Sequence, residues 1–223
     1  MARNIQDTFI APPCLDDIEI VHEDDALLVI NKPSGLLALS GKDPRNRDSV
    51  HARLVKRCPS IRMIHRLDFG TSGLMVLAKS KTMATTLNRQ FQQREVTKVY
   101  QAILWGQLAN ASGRINAHIA RDDENFPKMR IGEGGKPAQT DYQVLVTDMR
   151  ANTSTVEFYP RTGRTHQLRI HSAHIGHPIL GCDIYGTQAS TQAASRLLLH
   201  ATELTLKHPE TDQLLRFQSP RPF

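Results

Sequence analysis

A carboxylate at position 68 stands between a basic pair and a turn-forming run, in the order His65-Arg66-Leu67-Asp68-Phe69-Gly70-Thr71-Ser72-Gly73. In such a loop it can act as a nucleophile or a base, or it can simply pair with Arg66 or cap the turn. The apolar residues 74–78 follow directly, which predicts a polar loop feeding a buried strand. A strand fixes the base of the loop and leaves the side chain reachable.

A second chemical cluster runs from Arg161 to His171, in the order Arg-Thr-Gly-Arg-Thr-His-Gln-Leu-Arg-Ile-His. Its Thr-Gly turn and Thr165 predict the start of a helix containing Leu168, His171 and Ile175. A helix N-terminus flanked by Arg161 and Arg164 suits an anion. Arg169 would lie about one turn in, where its guanidinium can meet a carboxylate from elsewhere in the chain.

Other chemistries lack their parts. His166, His171, His174 and His177 have no acid at zincin spacing, so no metal is expected. Residues 132–137 are glycine-rich without P-loop spacing, and residues 70–73 are not G-x-S-x-G. A glycosidase would need a second acid paired with Asp68, and none is evident. Cys14, Cys58 and Cys182 are odd in number and far apart, which supports neither a disulfide framework nor a thiolate zinc site.

The elements that must position these groups follow from apolar periodicity. Strands are predicted over 18–22 and 26–30, the second ending in the turn Asn31-Lys32-Pro33-Ser34-Gly35, where Lys32 is either a surface charge or a buried partner. Residues 41–57 are basic, with a mobile first half and a short helix capped by Asp48-Ser49. Ser80 caps a helix in which Met83, Leu87 and Phe91 recur every four residues. A strand over 98–105 turns Tyr100 inward with Ala102 and Leu104. Residues 106–137 read as loop-rich, with strands at 141–147, 153–159 and 196–207.

The chain has 223 residues and a net charge of +6. Residues 1–25 hold seven acids and one base, Arg3, so the remainder carries 27 bases against 15 acids. That excess favours a polyanionic partner, nucleic acid first. No apolar run approaches a membrane span and no signal pattern is present, so the expected location is the cytoplasm. With no heptads or large apolar face, a monomer is expected.

His65-Arg66-Leu67-Asp68 followed by Thr71-Ser72-Gly73 resembles the signature of the RluA family of pseudouridine synthases. The likeness extends through residues 25–35, Lys98-Val99-Tyr100-Gln101-Ala102, residues 135–140, Arg161 to His171, and His177-Pro178-Ile179-Leu180-Gly181. One local departure is Cys182, where many members have Asp; Asp183 is adjacent. The resemblance implies that Asp68 is the catalytic aspartate, that Tyr100 stacks near the uracil, and that Arg169 pairs with the aspartate. Arg66 matches the residue that enters the RNA stack in place of the extruded base. His65, Arg161, Arg164 and His166 join it as expected RNA contacts.

The resemblance further implies an α+β fold, a pseudouridine synthase catalytic domain with a mixed, largely antiparallel central sheet, flanking helices and a basic RNA-binding cleft. Residues 1–17 are expected to be an N-terminal arm and 18–223 a single catalytic domain, too little preceding it for an S4-like domain. The closest likeness is to compact members that modify stem-loops in both 23S rRNA and tRNA; rRNA only, tRNA only, or a non-catalytic RNA-binding ribosome-assembly module are the alternatives. Isomerising uridine breaks the N1–C1′ bond and rejoins C1′ to C5 with no change in composition, so no cofactor is required. The target base must be splayed out of its stack to be reached.

Overall fold

The computed structural model describes residues 9–223, so the first eight residues of the expected arm lie outside the described residues. In chain order the elements are β1 (Glu19–Glu23), β2 (Leu27–Lys32), α1 (Val50–Val55), β3 (Arg62–Met63), β4 (Ser72–Ala78), α2 (Lys81–Gln93), β5 (Thr97–Trp105), β6 (Ser112–Arg121), β7 (Met129–Ile131), β8 (Lys136–Asp148), β9 (Thr153–Pro160), α3 (Gln167–His174), α4 (Gln188–Gln192), β10 (Leu199–Lys207) and β11 (Leu214–Gln218). They fall into two compact units. The first is Ala11–Ala102 with Arg196–Phe223, and the second is Ile103–Ser195 with the described residues 9 and 10; the division falls inside β5.

In the first unit, β2 and β4 are sandwiched. Leu28, Ile30, Met75 and Leu77 face one core cluster, which α1 and its flanks cover through Leu36, Leu54, Ile61 and Leu67. Leu27, Val29, Leu74 and Val76 face the other, where α2 contributes Leu87, with Met83 and Phe91 packed against it. Successive strand residues point to opposite faces, so a strand covered on both sides must be apolar throughout. All seven residues of β4 are buried. Burying each large aliphatic side chain contributes roughly 1.5–3 kcal/mol, which makes β4 a rigid mount for the loop before it.

Both helices begin where a side-chain oxygen satisfies an otherwise unpaired N–H. Ser49 Oγ accepts from Ala52 N at 3.1 Å, and Ser80 Oγ accepts from Met83 N at 3.2 Å. β1 pairs with β2 and β2 with β4, both antiparallel, whereas β4 and β10 pair in parallel. β10 also runs antiparallel to β5 and β11. The basic segment before α1 is more ordered than a mobile loop. Asp43 caps a single 3-10 turn at Pro44–Asn46, and Asn46 is buried. Arg53 ties residues of the expected arm to α1, donating to the carbonyls of Asp16 and Cys14.

The second unit is an antiparallel run in the order β9, β8, β6, β7. Here the expected loop-rich stretch is corrected, because β6 and β7 occupy much of residues 106–137. Ile115 and Ile119 are buried with Ala117 between them, while Arg114, Asn116 and His118 point outward. One small residue in three inward positions thins the apolar alternation, and the long pairing with β8 supplies what the local pattern lacks. α3 packs Ile170 against Ile119 and Ala138. Its start is also corrected: the N-cap is His166, in the left-handed region with φ of 56°, so the helix begins at Gln167 and not at Thr165.

Among the described residues no helix is long and apolar enough to cross a membrane.

Candidate active site

The loop carrying Asp68 is held from below by a buried cation. Lys32, the last residue of β2, is 0% exposed. Its Nζ donates to the carbonyls of Pro33 and Leu36, both at 2.8 Å, and of Phe69 at 3.3 Å. Gly35 N also donates to Phe69 O at 2.9 Å, and Ser34 Oγ donates to Gly70 O at 2.7 Å. Gly35 holds a φ of 76°, a conformation that favours glycine and turns its N–H toward Phe69. The turn after β2 and the loop before β4 are thus fastened together, fixing the main chain at Asp68 while its side chain stays partly exposed.

Burial draws the Lys32 ammonium down to a pKa of about 7, against the opposing pull of the negative charge on Asp68. Tyr100 shares this neighbourhood. It packs against the cluster containing Leu67 and Met75, and its hydroxyl is pushed well above the ordinary tyrosine range by burial and then by the charge of Asp68. Tyr100 is therefore a protonated ring at neutral pH. Its strand is fixed through Ala201 of β10, which pairs with Tyr100 on one side and with Gly73 on the other.

Arg66 is exposed beside this loop. His65 is engaged inside the unit: its Nε2 accepts from Val76 N at 3.0 Å, and its ring stacks on Phe91 with centroids 4.8 Å apart. Burial lowers its pKa to about 3, so the ring is neutral and has no charge to offer a phosphate.

In the second unit, Gln167 organises the basic loop before α3. Its Oε1 accepts from Arg164 N at 2.9 Å and from Thr162 Oγ1 at 2.8 Å, while its Nε2 donates to Gln139 O and Thr140 Oγ1, both at 3.0 Å. Arg164 Nε donates to Pro137 O at 3.1 Å. Arg161 Nε donates to Asp141 Oδ2 at 2.8 Å, and Arg114 bonds the same carboxylate. The two guanidinium groups hold Asp141 down at a pKa of about 2. His166 Nδ1 lies 2.9 Å from Tyr185 Oη, which also accepts from Met129 N at 2.8 Å.

Arg169 is 4% exposed. Within its unit it donates through Nη2 to Asp183 Oδ1 at 2.5 Å and through Nε to Cys182 Sγ at 3.4 Å, with its guanidinium 5.7 Å from the centre of the Tyr185 ring. Asp183, adjacent to Cys182, is thus a carboxylate that Arg169 meets within its own unit. Among the described residues no group of three or more His, Cys, Asp or Glu is placed to hold a metal. His171 Nδ1 meets Thr140 Oγ1 at 3.0 Å, and His177 Nδ1 donates to the Trp105 carbonyl at 2.9 Å.

The family description "RNA pseudouridylate synthase" matches residues 26–174. The chain belongs to this family. The synthase is 44% identical over 213 residues to the dual-specificity RNA pseudouridine synthase RluA of Pasteurella multocida (strain Pm70), covering 95% of this chain and 97% of the relative. It is 42% identical to the protein of the same name from Escherichia coli (strain K12), with the same coverage. Among solved structures it resembles human RNA pseudouridylate synthase domain containing 1, with a TM-score of 0.80, 32% identity, and coverage of 95% of this chain and 86% of that one. The enzyme is an isomerase acting on RNA, with the α+β, mainly antiparallel architecture its sequence resemblance implied.

Two residues of the synthase carry more than their sequence signal suggested. Lys32 follows an apolar run and Asn31 just before a Pro-Ser-Gly turn, and that position at a strand end is the one hint that its charge is internal. Asp183 lies in a turn-rich segment 14 residues beyond Arg169, with nothing local to pair them.

Proposed function

We propose that the synthase converts uridines in stem-loops of both 23S rRNA and tRNA to pseudouridine, with Asp68 as the catalytic carboxylate. Its identity to dual-specificity relatives across 95% of the chain carries this reading of the substrates. Asp68 takes part directly while the N1–C1′ bond breaks and C1′ rejoins at C5, the C5 hydrogen passing to solvent. Tyr100 supplies the face on which the extruded uracil stacks, a contact worth about 1–3 kcal/mol. Its neutral, half-buried ring suits that role.

Arg169 keeps the role the resemblance gives it, holding the aspartate ionised by charge pairing. Arg66 fills the gap left by the flipped base, and Arg161, Arg164 and His166 contact RNA on the basic loop. His65 supports the Asp68 loop from within. Residues 18–223 act as one catalytic domain, in the cytoplasm and as a monomer.

RNA carrying tritium at uridine C5 tests this reading, since isomerisation releases the label while the base stays attached. Release is expected from both a tRNA anticodon stem-loop and a 23S rRNA stem-loop. Release from one alone would restrict the substrate to that class. Asp68→Asn should fold, bind RNA and release nothing; substantial turnover would remove Asp68 from the chemistry.

A further inference from the structure

We infer that Arg196, Ser72 and His200 form a side-chain relay that sets the spacing between the Asp68 loop and the Tyr100 strand, and are positioning residues for the isomerisation. The inference rests on the reading of Asp68 and Tyr100 as catalytic residues.

β10 lies between β4, which the Asp68 loop feeds, and β5, which carries Tyr100. Its seam with β5 runs through six residue pairs, from Leu199↔Ala102 to Thr205↔Thr97. Its seam with β4 consists of two, His200↔Ser72 and Ala201↔Gly73. This short parallel contact is the weak joint in the frame between Asp68 and Tyr100, because few main-chain bonds resist a slip. Gly73 holds a φ of 114° there, and a Cβ at that position would run into the backbone of Ala201. The strands approach closely but are sparsely bonded.

Side chains reinforce that joint. Arg196 Nη2 donates to Ser72 Oγ at 2.5 Å, Ser72 Oγ lies 2.7 Å from His200 Nδ1, and His200 Nε2 lies 3.1 Å from Ser219 Oγ. Arginine can only donate, so Ser72 Oγ accepts from it and is free to pass its own proton toward His200 Nδ1. His200 Nε2–H then donates to Ser219 Oγ, so each of the three contacts pairs one donor with one acceptor. Ser72 is 3% exposed and His200 1%. Burial, then the nearby Arg196 charge, holds the imidazole at a pKa of about 4, so it is neutral and fits this order of donors.

The ends of the relay are fastened too. Arg196 lies with its guanidinium 5.6 Å from the centre of the Phe223 ring, and Ser219 N donates to Thr202 O at 2.9 Å. A purely space-filling joint would need no polar atoms, and a buried polar chain is costly unless all of it is satisfied. Three directional contacts in series hold one register, which apolar side chains of the same volume would leave free to slide. Catalysis by positioned groups is sensitive to shifts of about 1 Å.

Single-turnover tritium release at saturating RNA, well below each unfolding midpoint, tests the relay against RNA affinity measured in parallel. Ser72→Ala and His200→Leu should release label roughly ten- to a hundredfold more slowly than the wild type while RNA affinity stays within about twofold. His200→Asn keeps a polar atom near the Nδ1 position and should recover part of the rate. Wild-type rates in both Ser72→Ala and His200→Leu, whatever their midpoints, would overturn the relay. Where His200→Leu fails to fold, Ser72→Ala decides, since it removes one hydroxyl. Asp68→Asn in the same series keeps the two questions apart: turnover there defeats the catalytic reading, independently of the relay.

Discussion

Lys32 Nζ donates to the main-chain carbonyl of Phe69, 3.3 Å away and one residue beyond Asp68. A cation at the end of one buried strand therefore holds the loop at the start of its neighbour, β4. The arrangement separates two tasks. The ammonium holds backbone, and the carboxylate it helps place remains partly exposed for chemistry.

Lys32→Met should expose that division of labour. Methionine fills the space but leaves the carbonyls of Pro33, Leu36 and Phe69 without their shared donor. An unmet buried carbonyl costs about 1–3 kcal/mol, partly offset here because the buried charge goes as well. The expected result in urea unfolding is a net loss of about 1–3 kcal/mol, with single-turnover release slowed roughly tenfold. A variant that turned over at the wild-type rate would show that Lys32 does not hold the Asp68 loop in its working position.

The same lysine gives stability a pH dependence whose sign is fixed. Its pKa is about 7 when folded against 10.5 as the ordinary value. Between those limits the unfolded chain binds a proton that the folded protein does not, so the Lys32 contribution to stability rises with pH, by at most about 1.4 kcal/mol per pH unit. Below pH 7 both states are protonated and the contribution flattens. Urea midpoints of the wild type from pH 7 to 9, with those of Lys32→Met subtracted, should therefore increase. A flat difference would mean that Lys32 keeps an ordinary pKa.

His65→Phe distinguishes a structural histidine from an RNA contact. Phenylalanine can keep the stack on Phe91 but cannot accept the Val76 N–H, leaving a buried donor unpaired at a cost of about 1–3 kcal/mol. At roughly 2–4 °C per kcal/mol, the thermal midpoint should fall by several degrees. The salt dependence of RNA binding should not change. A reduced salt slope with an unaltered midpoint would restore His65 to the RNA surface.

The parts of this fold that were legible in the sequence are those whose cause is local. Ser49 and Ser80 cap their helices because an oxygen-bearing side chain precedes an apolar period of four, and β2 and β4 read as strands because both faces are covered. What escaped depends on partners distant in sequence. β6 has only Ile115, Ala117 and Ile119 facing inward, and it is specified as much by its register with β8 as by its own pattern. The left-handed His166 moves the start of α3 without any glycine to announce it. At the candidate site, the chemical types were readable from the motif around Asp68. The placement of Lys32 under Phe69, 37 residues away, was not, because a lysine beside a proline turn is more often solvated than buried.

Three arginines, Arg66, Arg161 and the half-buried Arg164, offer the last test, since phosphate contacts and base replacement leave different signatures. Arg164 extends from the loop that Gln167 holds, with Nε committed to Pro137 O, and Arg161 has Nε on Asp141. Guanidinium groups anchored through one nitrogen retain further donors for a phosphate. Arg161→Ala and Arg164→Ala should each weaken binding of a stem-loop and reduce the slope of log K against log salt by about 0.7–0.9, the loss of one neutralised phosphate. Single-turnover release at saturating RNA should remain near wild type. Arg66→Ala should behave in the opposite way, because a residue that replaces the flipped base acts after binding: a slower rate at saturation with a nearly unchanged salt slope. Arg66→Ala turning over normally, or Arg164→Ala slowing the saturated rate while leaving the slope intact, would reverse the roles assigned to these side chains.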